Sequence, residues 1–198
     1  MGTIAITKSD PAEIAARPLA AEQCALIVVD IQEKLLPPIF EGERLVRNAQ
    51  LLLRMAGILR LPVVTTTQYA RGLGATVPQV AELLPGNSII DKTTFGCFGH
   101  QEFCSALQAL PGNRDILLIC GMETHICVLQ TVLAALRKGY VVQVAADAVS
   151  SRTELNWKLG LQRMQQAGAV ISSAEMMIYE FLGAAGTPQF KAMLPYLK

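Results

Sequence analysis

Apolar positions along this chain follow two alternating patterns. Several short runs are apolar at nearly every position: Ala25–Val29, Ile116–Cys120, Tyr140–Ala146 and Ala169–Ser172; Val63–Thr67 adds β-branched threonines to two valines, and Ser88–Asp91 is a briefer run. Runs without polar alternation suit strands buried on both faces of a sheet. Between them lie stretches of helical period. The clearest is Glu43–Leu61, apolar at 45, 46, 49, 52, 53, 55, 56 and 59 and stopped by Pro62; one apolar stripe at that spacing predicts an amphipathic helix. Further helices are predicted over Gln79–Leu84, Gln101–Leu110, from the glycine after Cys120 to Lys138, over Glu154–Ala167 with Gly168 as its cap, and over Met176–Leu182 and Pro188–Leu197.

Strand and helix alternate with short connections throughout. Parallel strands need crossovers, and right-handed crossovers place helices on both faces. The expected architecture is therefore α/β: three αβα layers around a doubly wound parallel sheet of about six strands. Residues 1–22 read as an N-terminal arm and residues 23–198 as a single domain. With 198 residues and 52% hydrophobic content, the chain can bury a sizeable core.

Composition narrows the partners. The formal net charge is +1 and no cluster of Lys and Arg stands out. That argues against a nucleic-acid or anionic-membrane surface as the main partner. No apolar stretch reaches the ~18–20 residues of a membrane span. The first 21 residues lack the apolar core of a secretory signal. Five cysteines (24, 97, 104, 120, 127), an odd number with no C-x-x-C pair, suit a reducing compartment. A cytoplasmic protein is expected. The two histidines, His100 and His125, have no metal-ligand spacing, and no metal or cofactor is expected. Gly72-Leu73-Gly74 lacks the third glycine and the lysine of a phosphate loop and reads as loop geometry.

Three residues carry candidate chemistry. Asp30 and Lys92 stand at the C-terminal ends of predicted strands, and Cys127 falls in the first turn of the helix after the fourth strand. That edge of an open α/β sheet is the usual ligand crevice. An aspartate can take a thiol proton, a lysine favours thiolate and carboxylate alike, and a helix start offers backbone donors to an oxyanion. A helix N-terminus beside a lysine predicts that Cys127 titrates below the ~8.5 of a free thiol. Taken singly, each has an ordinary alternative: a packed cysteine, a turn aspartate, a solvated or ion-paired lysine.

In order and spacing, Cys24-Ala-Leu-Ile-Val-Val-Asp-Ile-Gln32, Asp91-Lys-Thr-Thr-Phe95, Gly121-Met-Glu-Thr-His-Ile-Cys-Val128 and Asp147-Ala-Val-Ser-Ser-Arg152 resemble the signatures of the isochorismatase-like cysteine hydrolases. Within that superfamily the chain is most similar to the isochorismatase-domain-containing proteins, through Thr67–Pro78 and Glu123–Thr131. The resemblance implies Cys127 as nucleophile, Asp30 as its general base and Lys92 as the third member of a triad. It implies a cis peptide at Met122–Glu123 and an oxyanion hole from the N–H groups of Glu123 and Cys127. Gln32 resembles a pocket-lining position, and Phe95, Phe98 and His125 are further candidates for contact with substrate. A His125–Cys127 dyad is disfavoured, because residues two apart on a helix do not face each other.

Two departures sharpen what the resemblance implies. Nicotinamidases of the superfamily hold a metal through a D-x-H motif where this chain has Gln68 and Ala70. Isochorismate-type vinyl-ether hydrolases work without the cysteine, so Cys127 points to acyl transfer on a small amide- or ureide-like substrate through a thioester. Vinyl-ether hydrolysis and a partner-binding scaffold with an unused triad are the alternatives. The family's habit of assembly, with a high apolar share that monomers seldom expose, predicts a homo-oligomer: a dimer, tetramer or larger ring.

Overall fold

Six strands form one sheet because each carries an apolar run that must be covered on both sides. In this computed structural model, which describes residues 13, 16–84, 86 and 89–197, they are β1 Cys24–Val29, β2 Val63–Gln68, β3 Ile90–Lys92, β4 Ile116–Met122, β5 Val141–Ser150 and β6 Val170–Ser172. Their spatial order is β3-β2-β1-β4-β5-β6, with every neighbouring pair parallel. The chain winds outward from β1 in one direction and from β4 in the other. The switch point between them is where α/β sheets place their ligand crevice.

The helices are α1 Gly42–Leu59, α2 Ala70–Leu73, α3 Pro78–Ala81, α4 Gln101–Gln108, α5 Leu129–Arg137, α6 Glu154–Gln166, α7 Ala174–Leu182 and α8 Pro188–Met193. Successive side chains of a strand point to opposite faces, and β1 divides accordingly. Leu26 and Val28 join Leu118, Leu45, Leu52, Met177 and Ile178 in one core. Ala25, Ile27 and Val29 join Leu117, Phe103, Val132 and Met164 in the other.

Several boundaries depart from the sequence reading: β4 runs on through Met122, the helix expected over Gln79–Leu84 is the shorter α3, and the stretch read as loop geometry around Gly72 forms α2. The third strand begins at Ile90, and Ser88 lies outside the described residues. β5 runs on past Asp147 to Ser150, because its register with β4 shifts between Ile119 and Gly121 and the extra residues bulge. Asp147, in that bulge, accepts the Ala174 N–H at 2.8 Å and so caps α7. Most of the arm 1–22 also lies outside the described residues, but its end packs on the body. Arg17 pairs with Asp115 at 2.8 Å, and the Leu19 N–H reaches the Glu180 carboxylate at 2.9 Å.

Gly121 is what lets the central strands close. Its φ is +121°, and a Cβ built there would stand 2.0 Å from the Val29 carbonyl oxygen. Only glycine tolerates that conformation and that approach. The contact brings the end of β4 against the end of β1, one residue before Asp30.

Candidate active site

Asp30 ends β1 in the left-handed region, with φ +51°, a conformation aspartate tolerates better than most residues. Its side chain crosses to the neighbouring strands. Thr66 donates to Oδ1 at 2.7 Å, and the Lys92 ammonium meets Oδ2 at 2.6 Å. Asp30 and Lys92 are both fully buried. Lys92 is surrounded by acceptors: besides Asp30, its Nζ donates to Gln68 Oε1 at 2.9 Å and to the carbonyls of Thr94 and Phe95 at 3.2 and 3.1 Å. So many partners offset the cost of burying an ammonium. They also leave it nothing to offer a substrate directly, so its effect on chemistry passes through Asp30.

Cys127 completes the group. The segment after β4 enters its helix through a π-type turn, Thr124–Val128, and α5 follows from Leu129. Such turns are frequent at functional sites. The Glu123 carbonyl accepts the N–H groups of Ile126 at 3.0 Å and Val128 at 3.2 Å, on either side of Cys127. The Met122–Glu123 peptide ahead of the turn is cis. Cys127 is 6% exposed, and its thiol feels the charges of both Asp30 and Lys92.

Those surroundings correct the expected titration of Cys127. Burial pushes the thiol far up from its ordinary value, and the Asp30 carboxylate adds to this, with Lys92 opposing. A helix start and a lysine do lower thiol values, but here the lysine charge is spent on Asp30 and the thiol faces a carboxylate in a water-poor site. At rest the sulfur keeps its proton, near the Asp30 carboxylate.

A second set of contacts lies beyond the cysteine. Glu123, 6% exposed, accepts three hydrogen bonds from Arg152: Nε to Oε2 at 3.0 Å, NH2 to Oε1 at 2.6 Å and the backbone N–H to Oε2 at 3.0 Å. Burial raises the Glu123 carboxyl, but the Arg152 donors more than offset this and hold it below the ordinary range. His125 is half-buried, with Nδ1 2.9 Å from Ser151 Oγ, and burial lowers its titration. Cys97 also sits close: its N–H meets Thr131 Oγ1 at 3.0 Å, and that hydroxyl donates to the Cys127 carbonyl at 2.7 Å. Burial pushes the Cys97 thiol up to about 11.

Two of the sequence candidates for substrate contact are placed elsewhere. Gln32 is fully buried; its amide donates to the carbonyls of Gln68 and Gly74 at 3.1 and 2.7 Å and accepts the Gln68 N–H at 2.7 Å. It ties the end of β2 to Gly74, just past α2. Phe98 packs edge-on against Phe103 at 5.2 Å and beside Tyr140 at 5.8 Å, in the core under α4. Phe95, by contrast, is 55% exposed directly beside Lys92. Gln68, where a metal-binding relative would place a ligand, spends its amide on Lys92 and the Thr93 carbonyl.

Sequence reading gave no site role to Thr66, Ser151 or Arg152. Thr66 had one usable signal, a polar residue inside a buried strand, registered beside Val29 and hence next to Asp30.

The isochorismatase domain family matches residues 24–176, which spans every residue of this site. The chain belongs to the isochorismatase family. It is an isochorismatase-family hydrolase of α/β fold. The secreted isochorismatase effector Isc1 of Phytophthora sojae is 37% identical over 183 residues, covering 91% of this chain and 87% of Isc1. The MAR1 ribonuclease of Caenorhabditis elegans superposes with a TM-score of 0.85 at 33% identity, covering 91% and 92% of the two chains. The YcaC gene product of Escherichia coli, described as an octameric hydrolase of unknown specificity, superposes with a TM-score of 0.82 at 25% identity over 91% and 93%. Among the described residues no helix is long and apolar enough to cross a membrane.

Proposed function

We propose that this protein is a cysteine hydrolase that cleaves a small amide- or ureide-type substrate through a thioester on Cys127, without a metal. One observation carries the reading: the buried Cys127 thiol stands in the field of the Asp30 carboxylate, which is itself held by Lys92 at 2.6 Å. As the substrate carbonyl arrives, Asp30 takes the thiol proton and sulfur bonds to the carbonyl carbon. The carbonyl oxygen becomes an oxyanion facing the N–H groups of Glu123 and Cys127. Collapse breaks the C–N bond, and Asp30 returns the proton to the leaving nitrogen. A water then gives its proton to Asp30 and attacks the thioester; the acid departs and Cys127 regains its proton.

Neutral sulfur at rest suits this order, because no charge is stranded in the site before substrate enters. The slight exposure of Cys127 supports a small substrate. The net charge of +1 without a basic cluster supports a metabolite over a polynucleotide, although one structural relative is named a ribonuclease. Gln68 and Ala70 in the ligand places support chemistry without a metal. Assembly into a homo-oligomer is supported by the octameric YcaC and by exposed Tyr69, Phe95, Met176 and Tyr179. A cytoplasmic location is supported by five free cysteines, while Isc1 shows that a family member can be secreted.

The test is a panel of small amides and ureides, with intact-protein and peptide mass spectrometry for an acyl adduct. Turnover with an adduct on Cys127, lost in Cys127→Ala and Asp30→Asn, is expected. Amide turnover that survives Cys127→Ala would rule out the thioester, and turnover of an added vinyl-ether substrate by Cys127→Ala would replace this reading with vinyl-ether hydrolysis. A protein that neither turns over nor acylates would be a binding scaffold with an unused triad.

A further inference from the structure

We propose that Arg152 is a positioning residue for oxyanion stabilisation: its grip on the Glu123 carboxylate fixes the backbone that faces the substrate oxygen. The inference rests on Cys127 being an acyl-transfer nucleophile. Glu123 heads the turn that carries Cys127, and it is fastened at two points. Its carbonyl holds the N–H groups of Ile126 and Val128. Its carboxylate is held by three donors of Arg152, a side-chain fork and a backbone N–H. With both fastened, the Glu123 residue has no freedom to rotate its own N–H away from the site.

The two partners differ sharply in exposure, since the Glu123 side chain is 6% and the Arg152 side chain 58% exposed. An exposed arginine adds little to a core, but a bidentate fork orients a buried carboxylate strictly. The neighbouring contact points the same way. Ser151, one residue before Arg152, meets the His125 ring at 2.9 Å. The end of β5 thereby grips the turn on both sides of Thr124. Ser150 and Ser151 also bond the backbone of Phe40, tying the loop after β1 to the same clasp.

Two reagents separate oxyanion support from nucleophilicity. Acylation by p-nitrophenyl acetate forms an S–C bond through a tetrahedral oxyanion and expels p-nitrophenolate. Alkylation by iodoacetamide displaces iodide and forms no oxyanion. Both are followed at Cys127 by peptide mass spectrometry in the full-length protein. Arg152→Ala is expected to slow acylation by about 10- to 100-fold, at or below the effect of deleting an oxyanion donor outright, and to leave alkylation nearly unchanged. Arg152→Lys, which cannot fork, should recover only part of the rate. Because the arginine is exposed, millimolar guanidinium should enter the vacated place and restore acylation selectively.

Equal acylation in Arg152→Ala and the unaltered protein would overturn the proposal. So would a parallel loss of both reactions without guanidinium rescue, which marks a pair that only supports the fold. If the unaltered protein alkylates but never acylates at Cys127, the nucleophile reading itself fails and takes this one with it.

Discussion

Lys92→Met tests the electrostatic centre of the site. The substitution keeps the unbranched stem and removes the charged end, leaving the Asp30 carboxylate fully buried without the ammonium now 2.6 Å away. Breaking a buried pair by deleting one partner costs about 3–5 kcal/mol. Two features set where the value falls. Thr66 still donates to Oδ1 at 2.7 Å, which favours the low end. Gln68, Thr94 and Phe95 lose a donor too, but their contacts are only part-buried and water can replace it. The expected loss is therefore about 3 kcal/mol, roughly a hundredfold in the folded-to-unfolded ratio. Urea unfolding at neutral pH reads the size of the loss. Adding Asp30→Asn to Lys92→Met should recover stability while leaving the protein inactive. Acylation of Cys127 should fall by at least about 100-fold, since the base can no longer be held charged beside the thiol. A loss under about 1 kcal/mol would refute the buried ion pair as the organising charge of the site.

Other consequences follow from individual contacts. Alkylation of Cys127 in the free protein should be slow at neutral pH and rise only well above the ordinary thiol range, because burial and Asp30 keep the thiol protonated; a midpoint at or below the free value would contradict that. Glu123, held below the ordinary carboxylate range, should contribute stability at neutral pH that disappears as the pH falls through its lowered value, and Glu123→Gln should flatten that acid-side loss in urea titrations. Gly121→Ala should leave little soluble protein or unfold at much lower denaturant, since its Cβ would lie 2.0 Å from the Val29 oxygen. Light scattering on dilution should show a mass that is a multiple of 21.4 kDa; a clean single-chain mass with undiminished activity would refute assembly.

Much of this protein was legible in local pattern. β1, buried at all six positions, announces itself as a central strand because every residue from Cys24 to Val29 must be covered. The same pattern places Asp30 at a strand end, and the resemblance of three separated motifs joined Asp30, Lys92 and Cys127 before any contact was visible. What misled was transferring helix-terminus chemistry to Cys127 without knowing its surroundings. The rule for a solvated helix start gives a low thiol value; a buried thiol facing a carboxylate goes the other way. Where the Gln32 amide goes was not legible either, since a motif position carries no information about which neighbours a side chain will meet.

Local pattern is enough to dictate the sheet, its parallel strands, the two helical layers and the edge where chemistry is placed. Each of these follows from apolar spacing and short connections, which act between residues near in the chain. Tertiary structure alone decided the charge state of the site and the identity of its supports. Thr66 reaches Asp30 across 36 positions, Gln68 reaches Lys92 across 24, and Arg152 reaches Glu123 across 29. Hydrogen bonds of this kind depend on distances of a few tenths of an ångström and on the exclusion of water. Neither quantity is written in spacing, because both arise only once the strands have closed around Gly121 and the solvent has gone.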